Sequence, residues 1–215
     1  MCGIVTIFSP DGGIEPDPID RAVRALAHRG PDGSGRWIAD HGRVGMGHAR
    51  LSIIDLDSGE QPIASRDGKI HIVVNGEFYD HDRIRDGLIA RGHKFRTHSD
   101  SEIALHLYED HGTACMEHLR GEFAFVLWDE RNGLLIAARD RFGIKPLYYS
   151  WHRGRLYLAS EAKALFAAGV PAAWDRESFH QKLYLNLESD RSMFKDVRQV
   201  PPGHLLLATR WSSKW

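Results

Sequence analysis

Short runs rich in Val, Ile and aromatic residues, at positions 2–8, 44–51, 70–75, 122–129, 134–139, 146–151 and 155–160, constrain the fold of this chain more than any other feature. Such residues suit the pleated surface of a sheet, and Gly or charged turn residues separate most of the runs. Two links, Asp129-Glu130-Arg131-Asn132-Gly133 and His152-Arg153-Gly154, are short enough to make antiparallel neighbours. Helical signals lie between the strand groups. Asp17 reads as an N-cap with Pro18 at the first helical position, and Ile19, Val23 and Leu26 then recur at helical spacing up to the stop Arg29-Gly30-Pro31. Segments 80–92, 101–112 and 161–168 read the same way, and the apolar first turns of 101–112 predict a buried helix. Hairpin-linked strands with helices between the groups predict an α+β fold in one domain.

With 215 residues, 42% of them hydrophobic, the chain is long enough to bury a full core. Lys and Arg number 28 against 29 Asp and Glu, so no whole-molecule field draws in nucleic acid or an anionic membrane, and neither is expected as a partner. The apolar start 2–8 has no basic residues before it, and no later run approaches the length of a membrane span. A cytoplasmic location is expected. Cys2 and Cys115 are too few for a disulfide scaffold and lack C-x-x-C spacing, and Cys115 reads as a buried structural thiol. The 13 histidines are scattered, with no H-x-x-x-H pair beside a third ligand, so no metal is expected.

The chemistry points to Cys2. Removal of Met1 would give one residue both a thiol nucleophile and a free α-amine, whose ordinary pKa of about 7.7 to 8 lets it take a proton near neutral pH and return it. The plainer alternative is a small apolar residue opening a strand. Gly3 reads as leaving room for a substrate beside the thiol. Asn75-Gly76, at the end of an apolar strand, offers a side-chain amide beside an unhindered N–H, the pair of neutral donors that holds an oxyanion. A hairpin turn is the alternative there, and the helix signal from Asp80 argues against it. Arg50 can take an α-carboxylate through two parallel hydrogen bonds and Asp100 an α-ammonium, or they are a strand-surface charge and a helix-start residue.

At these residues the sequence resembles the glutaminase domain of class II glutamine amidotransferases and, within that group, asparagine synthetase. The motifs M-C-G-I (1–4), H-R-G-P-D (28–32), H-A-R-L-S-I-I-D (48–55), N-G-E (75–77), S-D (99–100), R-D-R-F-G-I-K-P-L-Y-Y (139–149), S-E (160–161) and P-P-G-H (201–204) fall in the family's order. The resemblance implies an N-terminal-nucleophile hydrolase fold, a four-layer αββα sandwich of two antiparallel sheets between helical layers. It implies Cys2 as nucleophile, its α-amine as base, Asn75 and Gly76 as oxyanion hole, and Arg50, Glu77 and Asp100 as the residues holding the backbone end of L-glutamine. Sister branches resemble a T-R-W-A-T-H pattern where this chain has A-R-L-S-I-I-D. Phe78, Asp80 and His98 depart from the family's commoner residues and are expected in the pocket walls.

The resemblance further implies a glutaminase domain over residues 1–209, with 210–215 starting a linker to an absent ATP-dependent synthetase domain or subunit. The S-G-G-x-D-S loop that opens such a domain does not occur in the sequence. No cofactor is expected in this chain, ATP and Mg being expected only in the synthetase portion. The ammonia would serve amidation of aspartate or another carboxylate, and a homodimer is open. Two other readings stand beside this one: a hydrolase of the same type acting on a different amide, and a catalytically silent docking module of the same fold. The segment 139–149 suits either a structural role or a face for the synthetase domain.

Overall fold

The computed structural model describes residues 1–55, 59–184, 188–210 and 212–214. In chain order the elements are β1 (Gly3–Phe8), α1 (Pro16–Ala25), β2 (Gly33–Ile38), β3 (Val44–Arg50), β4 (Ile63–Ala64), β5 (Ile70–Phe78), α2 (His81–Ala90) and α3 (Glu102–His111). There follow a 3₁₀ helix (Gly112–Glu117), β6 (Gly121–Asp129), β7 (Leu134–Arg139), β8 (Tyr148–His152), β9 (Arg155–Ala159), α4 (Ala162–Ala168), α5 (Arg176–Leu183), β10 (Arg198–Gln199), β11 (Leu205–Ala208) and β12 (Ser213–Lys214). Among the described residues the strands form two six-stranded sheets, ordered β10-β8-β9-β1-β3-β2 and β12-β11-β7-β6-β5-β4, and the pairings are antiparallel.

Strand alternation builds the layers, because successive side chains point to opposite faces of a sheet. In β1, Ile4 and Phe8 join Val44 and Met46 of β3 and Val73, Val126 and Trp128 of the second sheet in the core between the sheets. Val5 and Ile7 turn the other way, onto Ile19, Ala22 and Val23 of α1 and Ala164 and Leu165 of α4. The outer face of the second sheet, with Ile70, Ile72, Val74 and Phe125, packs against Leu88 of α2 and Ile103, Leu105 and Leu107 of α3. The result is helices, sheet, sheet, helices, as the resemblance implied. β1 and β3 bury both faces, which is why they read as continuous apolar runs.

Several boundaries differ from the sequence reading. Helix α1 starts at Pro16 with Glu15 as N-cap, and Asp17 lies inside the first turn, paired with Arg21 one turn on. β2 carries no apolar alternation in Gly33-Ser34-Gly35-Arg36-Trp37-Ile38 because it is the exposed edge strand beside β3. Helix α5, started by Asp175 accepting from the Glu177 N–H, buries only Ser178 and so lacks an apolar stripe. β5 runs on through Asn75 and Gly76 to Phe78, with Gly76 opposite Phe123, so Asn75-Gly76 is mid-strand and neither a strand end nor a hairpin turn. Residues 213–214, past the expected boundary at 209, pair with 207–208. Cys115 is buried, in the 3₁₀ helix. Among the described residues no helix is long and apolar enough to cross a membrane.

The segment after β7 is a structural hub. The Asp140 carboxylate, fully buried, accepts the N–H groups of Phe142, Ile144 and Lys145 at 2.9–3.0 Å. Beside it the Arg139 guanidinium donates to the carbonyls of Lys145, Gly143 and Val200. Together they fold the chain sharply and leave Phe142 and Ile144 exposed. Asp140→Ala strands three N–H groups and is expected to lower the unfolding free energy by about 2–4 kcal/mol. Asp67→Asn, at an exposed pair with Arg131, should cost less than about 1 kcal/mol, and urea denaturation of both variants checks the contrast.

Candidate active site

The alternation that builds the inter-sheet core continues past its apolar part into a polar end. Counting by twos from Val44 and Met46, His48 and Arg50 face the gap from β3; counting from Val73, Asn75 and Glu77 face it from β5. Cys2, just before β1, lies on the gap side with Ile4. These residues line one cleft, and Asp100, Ser99 and Lys145 complete it. The structure therefore brings together all six residues singled out in the sequence: Cys2, Arg50, Asn75, Gly76, Glu77 and Asp100.

The Cys2 thiol is partly exposed and anchored on the end of β3. The Leu51 N–H donates to Sγ at 3.4 Å, and the thiol lies 3.6 Å from the Leu51 carbonyl. The Cys2 carbonyl accepts from Arg29 Nε at 2.8 Å, and Arg29 in turn pairs with Glu161 at 2.9 Å. Ser160 and Ile4 exchange hydrogen bonds, Ser160 Oγ accepting from the Ile4 N–H and the Ser160 N–H donating to the Ile4 carbonyl. The motifs at 28–32 and 160–161 thus fasten the nucleophile's strand. Nothing local in the sequence shows that Arg29 reaches a carbonyl 27 residues away.

Met1 and Lys145 also border the cleft, and Lys145 Nζ lies 3.5 Å from Met1 Sδ and 3.2 Å from Glu122. Gly3 has a different role from the one expected. A Cβ there would lie 2.8 Å from Leu26 Cβ, so glycine is required by packing against the residue that caps α1, on the face away from the cleft.

Asn75 is fully buried, and neither its side-chain oxygen nor its nitrogen has a hydrogen-bond partner among the described residues. A buried amide without partners costs free energy, of order 1–3 kcal/mol per group, and marks a donor and acceptor aimed at something other than the protein. Gly76 has φ 137°, and a Cβ there would fall 2.0 Å from the Glu122 carbonyl oxygen, so only glycine admits this approach to β6.

Asp100 sits just before Ser101, the N-cap of α3, and is buried; one carboxylate oxygen accepts the Phe78 N–H at 2.7 Å. Burial pushes its pKa up, and the Phe78 hydrogen bond offsets this only in part. Burial also holds His48 neutral, its pKa down at about 4. Arg50 closes the last residue of β3 and donates to the Asp55 carbonyl. Glu77 is exposed at the mouth. Chemically the cleft offers a thiol, an orphan amide beside a glycine N–H, a cation and a carboxylate, which is what an amide-bearing amino acid requires. Phe78, Asp80 and His98 do not line it: Phe78 is in the core under α2 and α3, and Asp80 is the N-cap of α2.

Residues 1–214 match the glutamine amidotransferase domain family. The chain is 47% identical to a protein named amidase chry2 of Gibberella zeae, over 96% of this chain and 32% of the relative. It is 37% identical to asparagine synthetase [glutamine-hydrolyzing] 3 of Bacillus subtilis, over 96% of this chain and 34% of the relative. The chain thus spans about a third of the length of these curated relatives. Among solved structures, glutamine phosphoribosylpyrophosphate amidotransferase of B. subtilis superposes with a TM-score of 0.73 at 21% identity, covering 99% of this chain and 48% of that one. That likeness shows that the α+β fold is shared. With the family matched over residues 1–214, the chain belongs to the glutamine amidotransferase domain family.

Proposed function

We propose that this chain hydrolyses L-glutamine to glutamate and ammonia through a Cys2 thioester, and that the ammonia serves an ATP-dependent amidation carried out by a synthetase portion. The observation that carries the reading is the unpartnered, buried Asn75 amide in the same cleft as the Cys2 thiol. Arg50 binds the α-carboxylate of glutamine, Asp100 the α-ammonium, and Glu77 the same backbone end from the cleft mouth. This leaves the side-chain amide directed at Cys2.

The α-amine of Cys2 takes the thiol proton and the sulfur attacks the amide carbon. The resulting oxyanion is held by Asn75 Nδ2 and the Gly76 N–H, and the Leu51 N–H, 3.4 Å from Sγ, fixes the sulfur in place before attack. Collapse breaks the C–N bond; the amine returns its proton to the leaving nitrogen and ammonia departs. Water then adds to the thioester, the same donors hold the second oxyanion, and glutamate leaves with the thiol restored.

The fungal relatives named amidases match at 47% identity, so the acceptor is assigned only as aspartate or another carboxylate. Its recognition, with ATP and magnesium, is assigned to the part of the relatives that this chain does not cover. The exposed Phe142 and Ile144 offer that portion an apolar face.

Two expectations follow from this chemistry. A peptide bond at the Cys2 nitrogen turns the base into an amide without a usable lone pair, and Met1 borders the cleft. Glutamate release should therefore belong to the Met1-free chain alone; intact-mass analysis paired with a glutaminase assay checks this, and full activity in a Met1-retaining sample contradicts it. Asn75→Ala should lower kcat by about 10²-fold or more with little change in KM, because the oxyanion exists only near the transition state. Arg50→Ala should act mainly on KM, since its contact is present in the ground state as well. Steady-state kinetics of both variants separates the roles.

A further inference from the structure

Histidines that are scattered in the sequence converge at the corner between α2 and α3. His93 follows the turn that ends α2, and His106 and Glu109 lie on α3. His93 Nδ1 is 3.1 Å from His106 Nδ1, His106 Nδ1 is 2.8 Å from a Glu109 carboxylate oxygen, and that oxygen is 3.6 Å from His93 Nδ1. The three atoms make a compact triangle. In a tetrahedral zinc site with metal–nitrogen bonds of about 2.0–2.1 Å, ligand atoms stand about 3.3 Å apart, which is the scale of these edges.

The far nitrogens support the same arrangement. His93 Nε2 donates to Asp110 Oδ1 at 2.8 Å; His106 Nε2 is buried without a hydrogen-bond partner among the described residues, 3.4 Å from Glu102 Oε1. A ring that gives its Nε2 proton to a carboxylate presents its Nδ1 as a lone pair, and this outer carboxylate is the usual companion of a metal-bound histidine. His93 Nδ1 is then a lone pair, and His106 Nδ1 becomes one when the proton it shares with Glu109 moves to the unpartnered Nε2. A single proton among them satisfies one pair at a time, whereas a divalent cation takes all three. His106 is buried, with Phe95 packed edge-on at 4.5 Å, while His93 and Glu109 are partly exposed and leave a route in from solvent.

We propose that His93 Nδ1, His106 Nδ1 and Glu109 form a binding site for a transition-metal dication of the zinc type, with water as fourth ligand and Asp110 and Glu102 as the outer carboxylates. Imidazole with carboxylate suits zinc over calcium or magnesium, which prefer all-oxygen sets. Bound there, the ion ties the end of α2 to α3. The loop between them is already held by Glu102, which accepts the N–H groups of Arg96 and Thr97, and it leads directly to Asp100 in the cleft. The site is therefore a staple behind one wall of the cleft, separate from the Cys2 chemistry.

The test uses the EDTA-treated chain carrying Cys2→Ala, so that the partly exposed thiol does not compete for the ion. Calorimetric titration with Zn²⁺ is expected to show one equivalent bound. Asp110→Asn, which removes only an outer carboxylate, should weaken binding by about 10- to 100-fold, and His93→Ala and Glu109→Gln by at least as much. Circular dichroism and thermal melting of each variant verify the fold. Co²⁺ added to the same EDTA-treated chain should give the intense visible bands of a four-coordinate nitrogen and oxygen site, a readout that needs no variant at the cluster. No stoichiometric Zn²⁺ binding, undiminished affinity in well-folded His93→Ala and Glu109→Gln, or the pale spectrum of hydrated Co²⁺ would each overturn the proposal and leave a shared proton holding the cluster.

Discussion

The gap between the two sheets is the constraint on which the rest of the structure depends. Hydrogen-bonded register fixes which side chains enter it: Ile4 is opposite His48 across β1 and β3, and Asn75 is opposite Ala124 across β5 and β6. A slip of one residue in β3 or β5 would turn Arg50 or Asn75 out toward the helices and leave the thiol without partners. The apolar part of the gap, with Phe8, Met46, Val73 and Trp128, holds the sheets together and so sets the distance across which Cys2 and Asn75 face one another. Core and site are one set of alternating positions, apolar in the middle and polar at the end.

The polar end is costly to the fold. Asn75 is buried without partners, and Asp100 is buried with one firm hydrogen bond. Because burial raises the Asp100 pKa, its ionisation opposes folding above that raised value. The penalty fades as pH falls toward the unfolded-state pKa and is gone below it. A bound ammonium group would relieve Asp100, and an oxyanion would engage the Asn75 amide. The cleft thus resembles a site organised for a charged, amide-bearing ligand before that ligand arrives. The hubs at Asp140 and at Arg29–Glu161 supply the rigidity that holds these groups in place.

Much of this was legible in the sequence, for physical reasons. Central strands such as β1 and β6 bury both faces and so declare themselves as continuous apolar runs, and the hairpin links 129–133 and 152–154 leave no alternative to antiparallel pairing. Motif order marked Cys2, Arg50, Asn75, Gly76, Glu77 and Asp100, and all of them reach one cleft. What escaped had no local signature. Edge strand β2 and the mostly exposed α5 have no apolar period to read. Gly3 and Gly76 are glycines because Leu26 and the Glu122 carbonyl crowd them, which is a tertiary fact. The convergence of His93 with His106 depends on how α2 packs on α3.

In the proposed mechanism Cys2 forms a covalent link to the substrate while the Asn75 amide holds the oxyanion. Rapid acid quenching of the Met1-free chain with glutamine, followed by mass spectrometry of the N-terminal peptide, tests it directly. A glutamyl adduct on Cys2 is expected to form before steady-state glutamate release and to be absent from Cys2→Ala. Glutamate released at the full rate by Cys2→Ala, or an adduct on any other residue, would contradict it.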